Sequence, residues 1–218
     1  VDDRAAQPAH QLDPRIHPLI RPSAPVFLLL TEGLIMTLDA QKVRVAVTGA
    51  VYAGPTSSTA PTSAVSTVPA GYNDLGYISE DGVTEAYDED VQDIQAWQGG
   101  AIVRTLISSS KASLSFTMIE SKASTLELYH KGSTMEAVSG GYKIDVKLPN
   151  VVRKKFILDV LDGSTHLRIY VPDGEVTERG EITYVNDETI SYNVTITCYP
   201  VNDVVLTKFS DDAYWGYS

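Results

Sequence analysis

Hydrophobic and polar residues along this chain alternate mostly with the period of a strand. Val43, Val45 and Val47 alternate with Lys42, Arg44 and Ala46, which predicts a strand that turns at Thr48 and Gly49 and resumes over residues 50–53. Residues 54–71 are rich in Ser, Thr, Pro and Gly and read as a long loop, either a flexible surface excursion or an interaction loop. A short strand is expected over residues 75–79, then short strands or extended loop arms over 83–87 and 91–97. Gly99 and Gly100 mark a turn. Residues 102–108 and 112–120 are expected to pair across 108–111, with Leu114, Phe116 and Met118 on one face.

The period changes once. Residues 121–131 predict a helix: Ser124 and Glu127 have capping-box spacing, Leu126 and Tyr129 share a face, Lys131 suits the negative end of the dipole, and Gly132 suits a left-handed cap. Alternation then returns in Tyr142, Ile144, Val146 and Leu148. Residues 156–161 and 165–171 flank Asp162 and Gly163, a hairpin signal, and Pro172, Asp173 and Gly174 predict a further turn. Residues 181–185 and 189–199 are expected to pair across Asn186 and Asp187, with Ile190, Tyr192, Val194, Ile196 and Cys198 on one face. Residues 204–209 predict a last strand before the aromatic tail Tyr214, Trp215 and Tyr217. The expected fold is mainly β, a β-sandwich or partly closed barrel with one flanking α-helix.

Residues 1–35 break this picture. Pro8, Pro14, Pro18, Pro22 and Pro25 space out a polar stretch, which reads as an extended or disordered N-terminal extension. Two readings stand for it: an upstream extension of a chain that naturally starts at Met36, or a genuine arm that docks on a neighbour. The β domain is expected over residues 36–218.

Composition narrows the function. The 218 residues carry a net charge of −11, and a surface of that sign repels phosphate backbones, although it lets nucleic acid slide past without sticking. No segment has the roughly 20 apolar residues needed to span a bilayer, so no membrane insertion is expected. The single cysteine, Cys198, forms no internal disulfide and no paired-cysteine zinc site, and its strand context reads as a buried structural thiol. His10, His17, His130 and His166 lack metal-ligand spacing, and no nucleophile elbow or phosphate-cradling glycine loop is present. No catalytic, metal or cofactor-binding residue is therefore assigned, and no cofactor is expected.

Four segments carry a family resemblance. Gly76-Tyr77-Ile78-Ser79-Glu80-Asp81-Gly82-Val83 is close to "GYVSEDGV", Ile94-Gln95-Ala96-Trp97-Gln98-Gly99-Gly100 to "IKAWQGG", and Phe116-Thr117-Met118-Ile119-Glu120 to "FTLIE"; Ile196-Thr197-Cys198-Tyr199-Pro200 matches a final core strand. In that order they resemble the major tail protein, or tail tube protein, of long-tailed non-contractile bacteriophages of the actinobacterial type. Residues 1–35 have no counterpart in it. The resemblance implies a structural, non-enzymatic virion protein. Six copies would form a ring by joining sheet edges, and rings would stack into a tube through which DNA is ejected. It further implies partners in the tape measure, tail terminator and tail tip proteins, passage of genomic DNA without specific binding, and assembly in the host bacterial cytoplasm. The alternatives are a β-rich virion decoration or receptor-binding module and, in third place, a carboxylate-pair glycosidase.

The candidate site is an acidic loop over residues 80–93, containing Glu80, Asp81, Glu85, Asp88, Glu89, Asp90 and Asp93 and no base. It reads as a solvated loop, as an assembly loop that orders against the next ring, or as a calcium site built on Asp88, Asp90 and Asp93. Trp97 with Gly99 and Gly100 reads as an interface anchor or as a core Trp before a tight turn. Arg153, Lys154 and Lys155 are the expected basic partner of the assembly loop, or simply a charged strand start.

Overall fold

A computed structural model describes residues 39–216; the expectations for residues 1–35, for Met36 and for Tyr217 lie outside the described residues. The strands, in chain order, are β1 (Thr48–Pro55), β2 (Asn73–Asp74), β3 (Ile78–Gln95) and β4 (Ile102–Met118). After helix α1 (Ala123–Tyr129) come β5 (Met135–Val138), β6 (Gly141–Ile144), β7 (Arg153–Asp162), β8 (Thr165–Arg179), β9 (Tyr192–Cys198) and β10 (Thr207–Ser210). Eight strands form one antiparallel sheet in the order β2-β1-β7-β8-β9-β4-β3, with β10 added to β8; β5 and β6 make a separate hairpin. The fold is mainly β with one packed helix, as expected.

The sheet curls into a partly closed barrel, because strands from both of its ends feed one core. Val51 of β1, Met118 of β4, Phe156 of β7, Val171 of β8 and Val194 of β9 belong to the same buried cluster. Leu75, fully buried, sits at the seam. Its N–H donates to the Val51 carbonyl at 2.9 Å, while two residues later the Tyr77 carbonyl accepts from the Ile119 N–H at 3.0 Å. Residues 75–77 thus bridge the first and last edges of the curled sheet. The hydroxyl of Thr125 on α1, also fully buried, donates to the Leu75 carbonyl and ties the helix to that seam. Burying each large apolar side chain stabilises the core by about 2 kcal/mol.

Several expected boundaries move. Val43, Val45 and Val47 are exposed and outside any strand, and β1 runs through Thr48 and Gly49 without turning. The alternation there lacks an inward face because the cross-strand partner, β7, begins its pairing only at Thr48 opposite Leu161. Ser124 and Glu127 do not form a capping box: the Ser124 hydroxyl donates to the Asp74 carbonyl, and the Glu127 carboxylate accepts from the Met135 N–H. Tertiary partners outcompete the local cap. Lys131 reaches Glu175 and the Val176 carbonyl rather than the helix end. Pro172 and Asp173 form a bulge inside β8, opposite the single residue Lys155, rather than a turn. The β7–β8 hairpin loop is Gly163 and Ser164. Residues 181–191 form no strand, so β9 pairs with β4 and β8 instead. The loop over 54–71 packs back onto the sheet: the buried Arg168 guanidinium bonds Asp159 at 2.6 and 2.8 Å and reaches the carbonyls of Ser63 and Ser66.

Candidate assembly surface

The acidic stretch is a strand and not a loop. β3 and β4 form one long hairpin, paired from Val83 opposite Phe116 out to Gln95 opposite Ile102. The serine run at 108–110, which reads as a turn in the sequence, stays extended because β3 pairs alongside it. Ser108 is the extra residue of a bulge there, and its hydroxyl donates to the Asp90 carbonyl at 3.0 Å. β9 accompanies β4 only from Ala112 to Met118. Beyond that level the hairpin is a two-stranded ribbon of about ten residues per strand, roughly 30 Å long.

Both faces of the ribbon are open to solvent. Cross-strand pairs place Val91 beside Ile107, on the same side as Tyr87 and Asp93; Asp88, Asp90, Ile94 and Arg104 lie on the opposite side. Tyr87, Val91, Ile94, Ile102, Val103 and Ile107 are all exposed. Sequence reading missed these residues as surface features, because β-branched residues in an alternating pattern normally mark a buried face. At the tip, Gly99 and Gly100 take positive φ values of 82° and 69°, which turns the chain tightly enough for the Ala96 N–H to reach the Ala101 carbonyl at 2.7 Å. Trp97 rides on this turn with 97% of its surface exposed, so it is not a core Trp.

The seven acids are spread along the ribbon. Asp90 accepts from the Ser109 hydroxyl and Asp93 from the Thr105 hydroxyl, both at 2.7 Å. Asp88 stands opposite Lys111 and Glu89 opposite Ser110. Since Asp88 and Asp90 face one way and Asp93 the other, the three do not converge as calcium ligands; among the described residues no group of three or more acids, His or Cys could hold a metal ion. Glu80 and Asp81 lie where β3 bulges away from Thr117, around Gly82 at φ 67°. Glu85, at the root, pairs with Lys208 of β10 at 2.8 Å and accepts from the Tyr87 hydroxyl. That bond, with some burial, pushes the Tyr87 phenol up to about 12.

Of the three bases, Arg153 and Lys155 are engaged within their own chain. Arg153 bonds Asp173 at 3.1 Å, lies 3.5 Å from Glu175 and stacks on the Tyr199 ring at 3.4 Å; Lys155 donates to the Ser58 carbonyl at 2.7 Å. These contacts fix the start of β7, and the ribbon acids of the same chain find their partners elsewhere.

The sequence profile of a family described as phage tail tube protein matches residues 36–215. The chain belongs to the phage tail tube protein family. It is a structural tail protein of a virion and not an enzyme. No curated protein matches the chain. Among solved structures, a sheath/tube terminator of an extracellular contractile injection system, in its extended state, is 9% identical with a TM-score of 0.45, covering 78% of this chain and 99% of that one. A chain from the virion of a native gene transfer agent particle is 12% identical with a TM-score of 0.37, covering 65% of this chain and 89% of that one. Within the tail tube fold the resemblance motifs have structural positions: residues 76–83 and 116–120 meet at the barrel seam, and residues 94–100 build the ribbon tip.

Proposed function

We propose that this chain is the tube subunit of a long-tailed, non-contractile phage of the actinobacterial type: six copies close a ring, rings stack, and the lumen conducts DNA during ejection. The ribbon supports this most directly. A two-stranded hairpin is marginal alone in water, and this one carries seven large apolar side chains in the open, counting Trp97 with the six named above. Among the described residues its strand edges are likewise unpaired beyond β9, which is a liability in a monomer and an assembly surface in a polymer. A ring closes on itself, whereas stacking is head-to-tail and extends without limit. Glu80, Asp81, Glu85, Asp88, Glu89, Asp90, Asp93, Trp97, Gly99 and Gly100 form the assembly element in this reading. The tape measure protein fills the lumen before DNA, the terminator and tip proteins cap the ends, and assembly takes place in the host cytoplasm.

Negative-stain electron microscopy of the purified full chain, before and after concentration, tests this. Hollow tubes with a regular axial repeat and sixfold end views are expected. Compact particles that do not change with concentration would instead favour a virion decoration or receptor-binding module.

A further inference from the structure

Residues 145–152 join β6 to β7 with no turn or bend, and almost all of this stretch is exposed. Val146, Leu148 and Val151 face solvent, with 92% of Leu148 uncovered. The segment is held at few points, one of them the Lys147 N–H donating to the Ser133 hydroxyl at 3.1 Å. It leads into a basic strand start: counted from Lys147 through the first residues of β7, residues 147–155 hold four bases and no acid, in a chain of net charge −11. A groove of about 720 Å³ opens beside its start, lined by Lys122, Ala123, Leu126, Met135, Tyr142 and Ile144. An apolar, extended segment that runs from an apolar groove to a basic strand start is the complement of an apolar, acidic ribbon with a Trp at its tip.

We propose that this segment of one copy is the dock for the β3–β4 ribbon of a second copy, with Trp97 seated in the groove beside α1. The inference rests on the tube reading and names the receiving surface that the reading leaves open. Charge complementarity carries it: residues 78–118 contain seven acids and two bases, net −5, while on the receiving side Arg153 and Lys155 are held by Asp173, Glu175 and Ser58, which leaves Lys147 and Lys154 to face the ribbon. Length agrees. Asp88 lies nine residues before Trp97, and Lys154 lies ten after Ile144, so both extended spans are about 30 Å. With Trp97 against Ile144 and Tyr142, the acidic shaft runs back along Lys147 toward Lys154. Arg153 and Lys155 keep their contacts to Asp173, Glu175 and Ser58 and hold the dock rigid. Of the three bases first matched to the acidic stretch, Lys154 is the one assigned to the contact, and Lys147 joins it.

The test mixes two full-length variants, Val91→Cys and Leu148→Cys, with a short bismaleimide; the native Cys198 is buried and stays silent. A cross-linked heterodimer is expected, well above the yield of a control pair of Val91→Cys with Tyr184→Cys, whose residue is exposed on the loop before β9. Adding Lys147→Glu and Lys154→Glu to the Leu148→Cys chain should cut the yield roughly tenfold. Adding Asp88→Lys and Glu89→Lys to the Val91→Cys chain should restore it. A yield no higher than the control, or one indifferent to the charge reversal, overturns the dock. Microscopy of wild-type protein from the same preparation reports separately on the tube: tubes without the cross-link remove this inference and leave the tube reading standing, and the cross-link without tubes does the reverse.

Discussion

The Glu120 carboxylate accepts a hydrogen bond from the Tyr77 N–H at 3.1 Å and lies over Gly76 where a side chain would otherwise stand. This contact joins the end of β4 to the residues that bridge the seam of the curled sheet. It explains why a Gly-Tyr pair and a distant Ile-Glu pair occur in one chain: Gly76 has φ 82° and no room for a Cβ.

Gly76→Ala should therefore destabilise the protein by about 2 kcal/mol, from the positive φ and the displaced carboxylate together. Glu120→Ala should cost about 1 kcal/mol, and Glu120→Gln, which keeps an acceptor, less. Urea unfolding followed by tryptophan fluorescence and circular dichroism would measure both.

Arg168 holds the loop over 54–71 by bonds to Asp159 and to the carbonyls of Ser63 and Ser66, in a site with 4% of its surface exposed. Arg168→Ala leaves Asp159 without its bidentate partner and should cost roughly 3–5 kcal/mol. Limited proteolysis should then cut first within residues 56–72. Arg168→Lys should rescue only part, because an ammonium cannot reproduce the planar fork.

His130 packs edge-on against the Tyr129 ring, and burial, then the Arg179 charge, hold its imidazole below the ordinary 6.5. Below pH 6.5 the unfolded chain binds the proton that the folded chain resists. This contribution to stability is complete above that pH, declines as pH falls, and is fully lost once the folded-state ring protonates too. Melting temperature should thus fall as the pH is lowered through 6.5, and His130→Gln should flatten that part of the profile.

Trp97 has 97% of its surface exposed. Trp97→Ala should change unfolding free energy by less than about 0.5 kcal/mol. It should raise the concentration needed for assembly by roughly tenfold or more, as expected of an aromatic anchor. Sedimentation of assembled from free subunits across a concentration series would show both, against circular dichroism as the folding control.

Local pattern was enough to identify β7 and β8 with their hairpin, the inward face of Tyr192, Val194, Ile196 and Cys198, the position of the helix, and the turn at Gly99 and Gly100. Each of these depends on neighbours in sequence: alternation, a two-residue loop, or glycines with positive φ. The four motifs likewise pointed to the tail tube family, since their order is a property of the chain alone. Only the tertiary structure decided that residues 80–93 are one arm of a ribbon, because a run of acids becomes a strand when Ile102–Met118 lies alongside to pair it. The exposure of Trp97 and Leu148 was decided the same way, by which strands extend past β9 and which connection leaves the sheet. Ser124, Glu127 and Lys131 show the reason most plainly: the helix cap written in the sequence is worth about 1 kcal/mol, and partners brought in by the fold, Asp74, Met135 and Glu175, took its side chains instead.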